Sequence, residues 1–209
     1  MSAPAKHSIA GLDVSRETFA ALEAFVALVQ RWNPAINLVS KSAAQKLWER
    51  HIVDSVQLFG FCPPATKRWV DIGSGGGFPG LVVAILANEA LPDLRVTLVE
   101  SDQRKATFLR QAVQALGQTA TVVSKRIESV PPLDAEVISA RALAPLDELL
   151  GLVAPHLCHN GVALFPKGAR HADELIDARK HWQFGVTVHP SPSDPAAAIL
   201  EIRNINREP

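Results

Sequence analysis

The sequence predicts an α/β fold: a mostly parallel sheet of seven strands, covered on both faces by helices, ending in an antiparallel hairpin and preceded by further helices. Three observations predict it. From residue 68 onward short apolar runs alternate with helically spaced ones, the pattern of a parallel sheet with crossover helices. One apolar run ends in Asp71 and meets Gly73, Gly75, Gly76, Gly77 and Gly80 before an aliphatic stretch, which reads as strand, tight loop and helix. The last two apolar runs are separated only by PSPSDPA, too short for a crossover helix, so they pair antiparallel.

Taken in order, the first helix starts at Ser15, a good N-cap. It carries Phe19, Leu22, Phe25, Val26 and Val29 at three-and-four spacing and is expected to stop at Pro34. RWNPAINLVSKS (31–42) reads as an ordered loop. A second helix, over about 43–59, stripes Leu47, Trp48, Ile52, Ser55 and Phe59 on one side. On its surface His51 and Asp54, three apart, are neighbours. CPPATK (62–67) is a linker, so residues 1–62 form an N-terminal helical extension and 63–209 the main domain, expected to pack as one compact unit. Strands are expected near 68–72, 95–100, 120–124, 135–140, 161–166, 184–189 and 198–203, and helices near 80–88, 103–116, 146–157 and 171–182. HLCHNG (156–161) has the look of a metal cluster, but it falls at a helix C-terminus. There histidines suit the dipole and Asn160 or Gly161 supplies a left-handed turn, so no metal is expected.

The chain has 209 residues, 47% of them apolar, enough for one α/β domain with a full core. Cys62 and Cys158 stand alone, without a CxxC, which supports neither a disulfide framework nor a zinc ribbon. The N-terminal segment has one lysine, Lys6, and no apolar core of signal-peptide length, and the longest aliphatic run (81–87) is too short for a bilayer. A soluble, cytoplasmic protein without membrane contact is expected. Basic and acidic residues balance at 21 each, so any nucleic-acid contact must come from local clusters. Lys41, Lys46 and Arg50 oppose only Glu49, and Arg104, Lys105, Arg110, Lys125 and Arg126 face only Asp102. On charge alone a solvated helix face explains them equally well.

In such a sheet the chemistry sits beyond the carboxyl ends of the strands, where strand order reverses. The sequence delivers residues 71–78, 100–102, 125–128, 139–141 and 167–168 to that edge. Glycine lets a ligand meet backbone, and Pro79 suits the first helical turn, whose N–H groups are expected to face the ligand. Gly75, Gly77 and Gly80 satisfy the dinucleotide spacing, but that match is weak by itself. The acid at Asp71 and the bulk of Phe78 and Pro79 oppose a pyrophosphate. S-adenosylmethionine carries an ammonium and a sulfonium and no phosphate. Asp71 can offset that charge while Glu100, at the end of the second strand, accepts from both ribose hydroxyls. Seven strands with a terminal hairpin is also the arrangement of the class I, Rossmann-like, S-adenosylmethionine-dependent methyltransferase fold. The fourth-strand end, ISARALAPL (138–146), has neither the Asn/Asp-Pro-Pro-aromatic turn of exocyclic-amine enzymes nor a Pro-Cys nucleophile. With Arg141 at its mouth and no evident base, the site suits an acceptor that loses no proton before attack.

WNPAINLVS (32–40), HIVDSV (51–56), VDIGSGGGFPGLVVAI (70–85), LVESDQRKATFL (98–109), RIE (126–128) and SARALAPL (139–146) together resemble the glucose-inhibited division protein B family. Its members are bacterial 16S ribosomal RNA guanine-N7 methyltransferases. The resemblance runs over about residues 18–168. It implies cofactor contacts from Gly73, Phe78, Ile127, Glu128 and Arg141, beside the loop residues Asp71, Ser74, Gly75 and Gly77 and the strand-end Glu100. It also turns His51 and Asp54 into parts of a substrate-side wall. Lys41, Lys46, Arg50, Arg104, Lys105, Arg126 and Lys167 become candidate contacts to 16S RNA or the small ribosomal subunit. Arg141 is expected to position rather than to move a proton, and the protein to act as a monomer. A small-molecule methyltransferase, its acceptor pocket roofed by the N-terminal helices, is the alternative; the basic clusters favour RNA.

Overall fold

In the computed structural model of the chain, residues 7–208 are described; Lys6 lies outside them. Ahead of the first helix stands a hairpin the sequence reading did not contain. Strands β1 (His7–Ile9) and β2 (Leu12–Val14) pair antiparallel around Ala10 and Gly11, both at positive φ (49° and 81°), the twist a two-residue hairpin needs.

Helix α1 (Arg16–Ile36) starts where Ser15 Oγ accepts from the Thr18 N–H at 3.1 Å and buries Leu22, Phe25 and Val29. It does not stop at Pro34. The proline sits in the last turn, and the helix ends at Asn37, whose left-handed backbone (φ 51°) lets its N–H reach the Asn33 carbonyl. The single helix expected over 43–59 is three pieces. Helix α2 (Lys41–Ala44) is capped by Ser40 Oγ, a π-helical turn follows at Trp48–Ile52, and helix α3 (Val53–Phe59) completes it. The wider π turn leaves both His51 and Ile52 buried.

The main sheet contains β3 (Arg68–Ile72), β4 (Arg95–Val99), β5 (Thr121–Val123), β6 (Ala135–Ala140), β7 (Leu157–Lys167), β8 (Trp182–Pro190) and β9 (Ala198–Arg207) in the spatial order β5-β4-β3-β6-β7-β9-β8. Neighbours are parallel except β9, which runs antiparallel to both β7 and β8, as the short 190–196 connection requires. Between them lie α4 (Gly80–Ala90), α5 (Gln103–Ala115), α6 (Leu146–Val153) and α7 (His171–Ala178). Helices α6 and α7 are shorter than expected. The first tightens into a 3₁₀ turn, Ala154–His156, and residues 157–161 then enter β7 directly, so Asn160 and Gly161 form no left-handed cap.

Alternation along β3 divides the core. Trp69 faces a cluster with Leu22, Phe25, Leu58, Leu81, Leu98 and Phe108 from α1, α3, α4, β4 and α5, while Val70 and Ile72 join Ile138, Leu149, Phe165 and Ile202 on the other side. At about 1.5–3 kcal/mol for each large side chain removed from water, both layers contribute heavily to stability. No described helix is long and apolar enough to cross a membrane. The order of strands reverses between β3 and β6, so the segments leaving those two strands flank the crevice.

Candidate active site

The loop after β3 turns back on itself through Gly73, Gly75 and Gly77, all at positive φ (69°, 54° and 88°), a region that L side chains enter only at a cost. Its N–H groups are largely engaged from within. Those of Gly73 and Ser74 donate to the Val99 carbonyl at 2.9 and 3.1 Å, and that of Gly77 to the Ser74 carbonyl at 2.7 Å. Gly75 N–H donates to Glu100 Oε2 at 2.8 Å. Gly80 N–H, at the start of α4, donates to Asp71 Oδ2 at 3.2 Å. The expectation that these donors face a ligand is therefore corrected for Gly73, Ser74, Gly75, Gly77 and Gly80, whose N–H groups are taken up by the chain's own acceptors.

Asp71 is correspondingly not a wall of the crevice. It is fully buried; Oδ1 accepts from Ser139 Oγ at 2.6 Å, and Ser139 Oγ accepts from Trp69 Nε1 at 2.9 Å. Burial pushes its carboxyl up to about 6, against the opposing pull of these hydrogen bonds and of Arg141. Asp71 thus ties β3, β6 and the start of α4 together beneath the loop, on the helix end where negative charge is favoured. Ser74 is likewise internal, its hydroxyl donating to the Asp71 carbonyl at 3.0 Å.

Glu100 is buried at the end of β4, beside the loop. Its Oε1 accepts from the Asp102 N–H at 2.7 Å and its Oε2 from Gly75, and each carboxylate oxygen keeps a second lone pair. Beside it a cavity of about 220 Å³ is lined by Ile72, Gly73, Val99, Ser101, Ile127 and Glu128, with Lys125 and Arg126 at its edge. Ile127 is buried and Glu128 exposed on the 3₁₀ turn Ile127–Ser129. Apolar floor, hydroxyl and carboxylate rim, and a glycine loop with no free phosphate cradle fit a cationic nucleoside such as S-adenosylmethionine.

On the other side of the crevice, Arg141 follows β6. Its guanidinium stands over the Phe78 ring, 5.5 Å from the centroid, and Nη1 donates to His51 Nδ1. The His51 ring stacks on Phe78 at 4.9 Å, and Phe25 tilts against Phe78 at 5.0 Å. A guanidinium has no acceptor, so His51 Nδ1 must be the acceptor and the proton sits on Nε2. Burial, reinforced by Arg141 and Arg50, holds the imidazole down to about 3, hence neutral throughout the physiological range. Burial also lowers the Arg141 pKa, opposed by the charges of Asp54 and Asp71, and raises that of Asp54. His51 and Asp54 do not pair with each other; Asp54 Oδ1 accepts from Ser193 Oγ at 2.5 Å.

A cleft of about 690 Å³ opens beside this cluster, lined among others by Arg50, Asp54, Arg141, Leu143, Lys167 and Ser193. Leu143 lines both cavities and lies against Gly73, where an added Cβ would meet its Cδ1 at 2.8 Å. Lys41, Lys46, Arg50, Arg104 and Arg126 are exposed and Lys105 half-buried. Arg50 is paired with Asp194 at 3.5 Å and Arg104 with Asp102 at 3.5 Å. Lys167 departs from its expected role. Its ammonium is largely buried, 2.7 Å from Glu174 Oε2 and 2.9 Å from the Ala144 carbonyl, so it is engaged inside the protein.

Against known proteins, the model of the family described as rRNA small subunit methyltransferase G (GidB) matches residues 18–193. The chain belongs to this family. It is 52% identical over 195 residues to the ribosomal RNA small subunit methyltransferase G of Cereibacter sphaeroides (93% of this chain, 95% of that protein). It is 49% identical over 196 residues to the protein of the same name from Rhodospirillum centenum (94% and 88%). Among solved structures it is similar to a TehB-like SAM-dependent methyltransferase from Corynebacterium glutamicum, with a TM-score of 0.58 at 16% identity (90% and 100%). M. jannaschii TYW2 in complex with AdoMet gives 0.54 at 14% (76% of each chain). The fold is the class I methyltransferase fold, the chain a GidB-family methyltransferase, and its cofactor S-adenosylmethionine.

For this GidB-family chain, several lining residues escaped the sequence reading. Leu143, Glu148 and Leu152 line the smaller cavity, and only the four-residue spacing of Glu148 and Leu152 on α6 hinted that they share a face; Ser101, which lines it too, lies in the 100–102 stretch expected at that edge. Ser139 was legible as a strand-end residue but not as the partner of Asp71. Ser193, in the β8–β9 connection, carried no signal.

Proposed function

We propose that this protein transfers the methyl group of S-adenosylmethionine to N7 of a guanine in 16S ribosomal RNA, acting as a monomer in the cytoplasm. The observation that carries this reading is that the two nitrogen groups over Phe78 cannot take a proton: the lone-pair nitrogen of neutral His51 accepts from Arg141, and a guanidinium stays protonated at any working pH. Guanine N7 has an in-plane lone pair and no proton, so it needs no base.

Gly73, Ile127 and Glu128 would hold the nucleoside of the cofactor, and Glu100 its ribose hydroxyls. Bound there, the cofactor supplies a methyl group on cationic sulfur. Leu143 stands where this cavity meets the larger cleft, at the boundary the two reactants share. Arg141, held between Phe78 and His51, orients the base. The N-terminal extension (1–62) supplies the substrate-side wall through His51 and Asp54, with Arg50, Lys46 and Lys41 outside it to meet phosphates. Alignment in a water-poor crevice is what remains for the chain to supply, and such positioning can be worth roughly 7–11 kcal/mol. A base in a duplex offers N7 only within a groove, so an unpaired or extruded guanine fits better.

Arg141→Ala should slow single-turnover transfer by about a hundred-fold or more. Mutant and wild-type rates should both be flat between about pH 7.5 and 9, above the range where Asp71 and His51 titrate. The product should be 7-methylguanine in small-subunit RNA, read by nucleoside mass spectrometry and by borohydride–aniline cleavage. Methyl on an exocyclic amine or a 2′-hydroxyl, or a rate governed by one ionisation near neutrality, overturns the proposal.

A further inference from the structure

The segment that carries Arg141 out of β6, residues 141–145, has little to hold it. Ala142 takes a positive φ of 52°, and Leu143 is 41% exposed. Among the described residues, no backbone–backbone hydrogen bond outside helices and strands involves residues 141–144. Beyond the Arg141 side chain on Phe78 and His51 and Leu143 against Gly73, what fixes the segment is one ion pair. Lys167 Nζ, at the end of β7, donates to the Ala144 carbonyl at 2.9 Å and to Glu174 Oε2 at 2.7 Å. The same Glu174 oxygen accepts from the N–H of Leu146, first residue of α6, at 2.9 Å. The side chains are 10% and 22% exposed.

We propose that Lys167 and Glu174 are positioning residues for Arg141: together they clamp the 141–145 segment at Ala144 and Leu146 and so set where the guanidinium stands over Phe78. Two observations separate this from an RNA contact. An ammonium that is largely dehydrated and already donating to two oxygens has little to offer a phosphate. The pair also does what neither charge does alone, since the lysine satisfies a carbonyl and the glutamate an N–H on either side of Pro145. Without Glu174, Lys167 is a buried unpaired cation and Leu146 loses its acceptor; without Lys167, Ala144 is released and the carboxylate is unpaired.

The inference rests on the role given to Arg141 above. The test is single-turnover transfer at saturating S-adenosylmethionine and RNA for Lys167→Met, Glu174→Gln, the double variant, and each single change combined with Arg141→Ala, alongside RNA affinity as a function of salt. Each clamp variant should slow transfer about ten- to a hundred-fold, the scale of an ångström of misplacement. The double variant should be no slower than the worse single, because the two act as one unit. In the Arg141→Ala background either clamp change should alter the rate less than about twofold, which a general loss of structure would not produce. Lys167→Arg, which keeps charge and donors, should recover part of the rate. Wild-type rates in both clamp variants beside a slow Arg141→Ala overturn the inference alone, as does a salt slope flattened by about one in Lys167→Met with transfer unchanged. Full activity in Arg141→Ala overturns the role of Arg141 and the clamp with it.

Discussion

Replacing Asp71 by asparagine tests whether an ionised carboxylate lies beneath the glycine loop at a cost to stability. The folded-state pKa is raised from 3.8 to about 6 by complete burial. The folded protein therefore binds the proton more tightly than the unfolded chain, and its stability falls as pH rises. The loss begins near the unfolded pKa, is complete above about pH 7, and amounts to about 3 kcal/mol for a shift of about two units. Asparagine cannot ionise and escapes it. Its amide can still accept from Gly80, but turned toward Ser139 it leaves that hydroxyl without an acceptor, a pH-independent cost of about 1 kcal/mol. The stability of Asp71→Asn minus that of wild type should therefore climb by about 3 kcal/mol between about pH 4 and 7.5, whatever its starting value. Urea denaturation followed by tryptophan emission suits the measurement, since buried Trp69 shares Ser139 with Asp71. The same difference should appear as a rise of roughly 6–12 °C in the relative Tm. A difference that stays constant across this range, or falls with pH, refutes the buried-carboxylate argument.

Three further outcomes follow from the site. Glu100→Ala should weaken S-adenosylmethionine binding by about one to two orders of magnitude in isothermal titration, and unchanged affinity would remove Glu100 from the ribose. Lys46→Ala and Lys105→Ala should each flatten the dependence of log RNA affinity on log salt by about one unit or less, with cofactor affinity untouched; unaltered slopes return both to a solvated face. Gly77→Ala should destabilise the fold by roughly 1–3 kcal/mol, because φ is 88° and the new Cβ would meet Phe25 Cζ at 2.9 Å. A thermal midpoint equal to wild type contradicts that.

What could be read from the chain alone follows a physical division. Periodicity and turn chemistry are local, so the strand–glycine loop–helix at residues 68–90 and the terminal hairpin were legible. The β1–β2 hairpin was not: three-residue strands show no alternation, and Ala10–Gly11 is a weak turn signal beside Asn-Gly. Nor was the π turn at Trp48–Ile52, since an inserted residue leaves local propensity unchanged. Pro34 misled because a proline removes only its own N–H, and the residues after it can keep theirs paired, as Asn37 does with the Asn33 carbonyl. In the site, residue types at strand ends were visible, but their partners were not. Whether Lys167 meets a phosphate or Glu174, and whether Asp71 meets a ligand or Ser139, depends on packing between elements far apart in sequence.

The internal satisfaction of the loop has a consequence for ligand charge. A strand–glycine loop–helix whose N–H groups are open is an anion site. Here Asp71 accepts from Gly80 and Glu100 from Gly75, so the same backbone is filled by the chain's own carboxylates and its surface turns from positive to negative. A phosphate is repelled there and a sulfonium or ammonium attracted. The polyanionic substrate must then be met elsewhere, and the exposed cations do lie away from the loop floor. Lys46 and Arg50 share a groove with residues 193–195, while Lys125 and Arg126 rim the smaller cavity. Arg141 brings positive charge to the junction over Phe78, and Asp54 and Asp71 offset it there. On the proposed function, a neutral base approaches Arg141 while its backbone phosphates stay outside, which is the separation a cationic cofactor and an RNA substrate need in order to share one crevice.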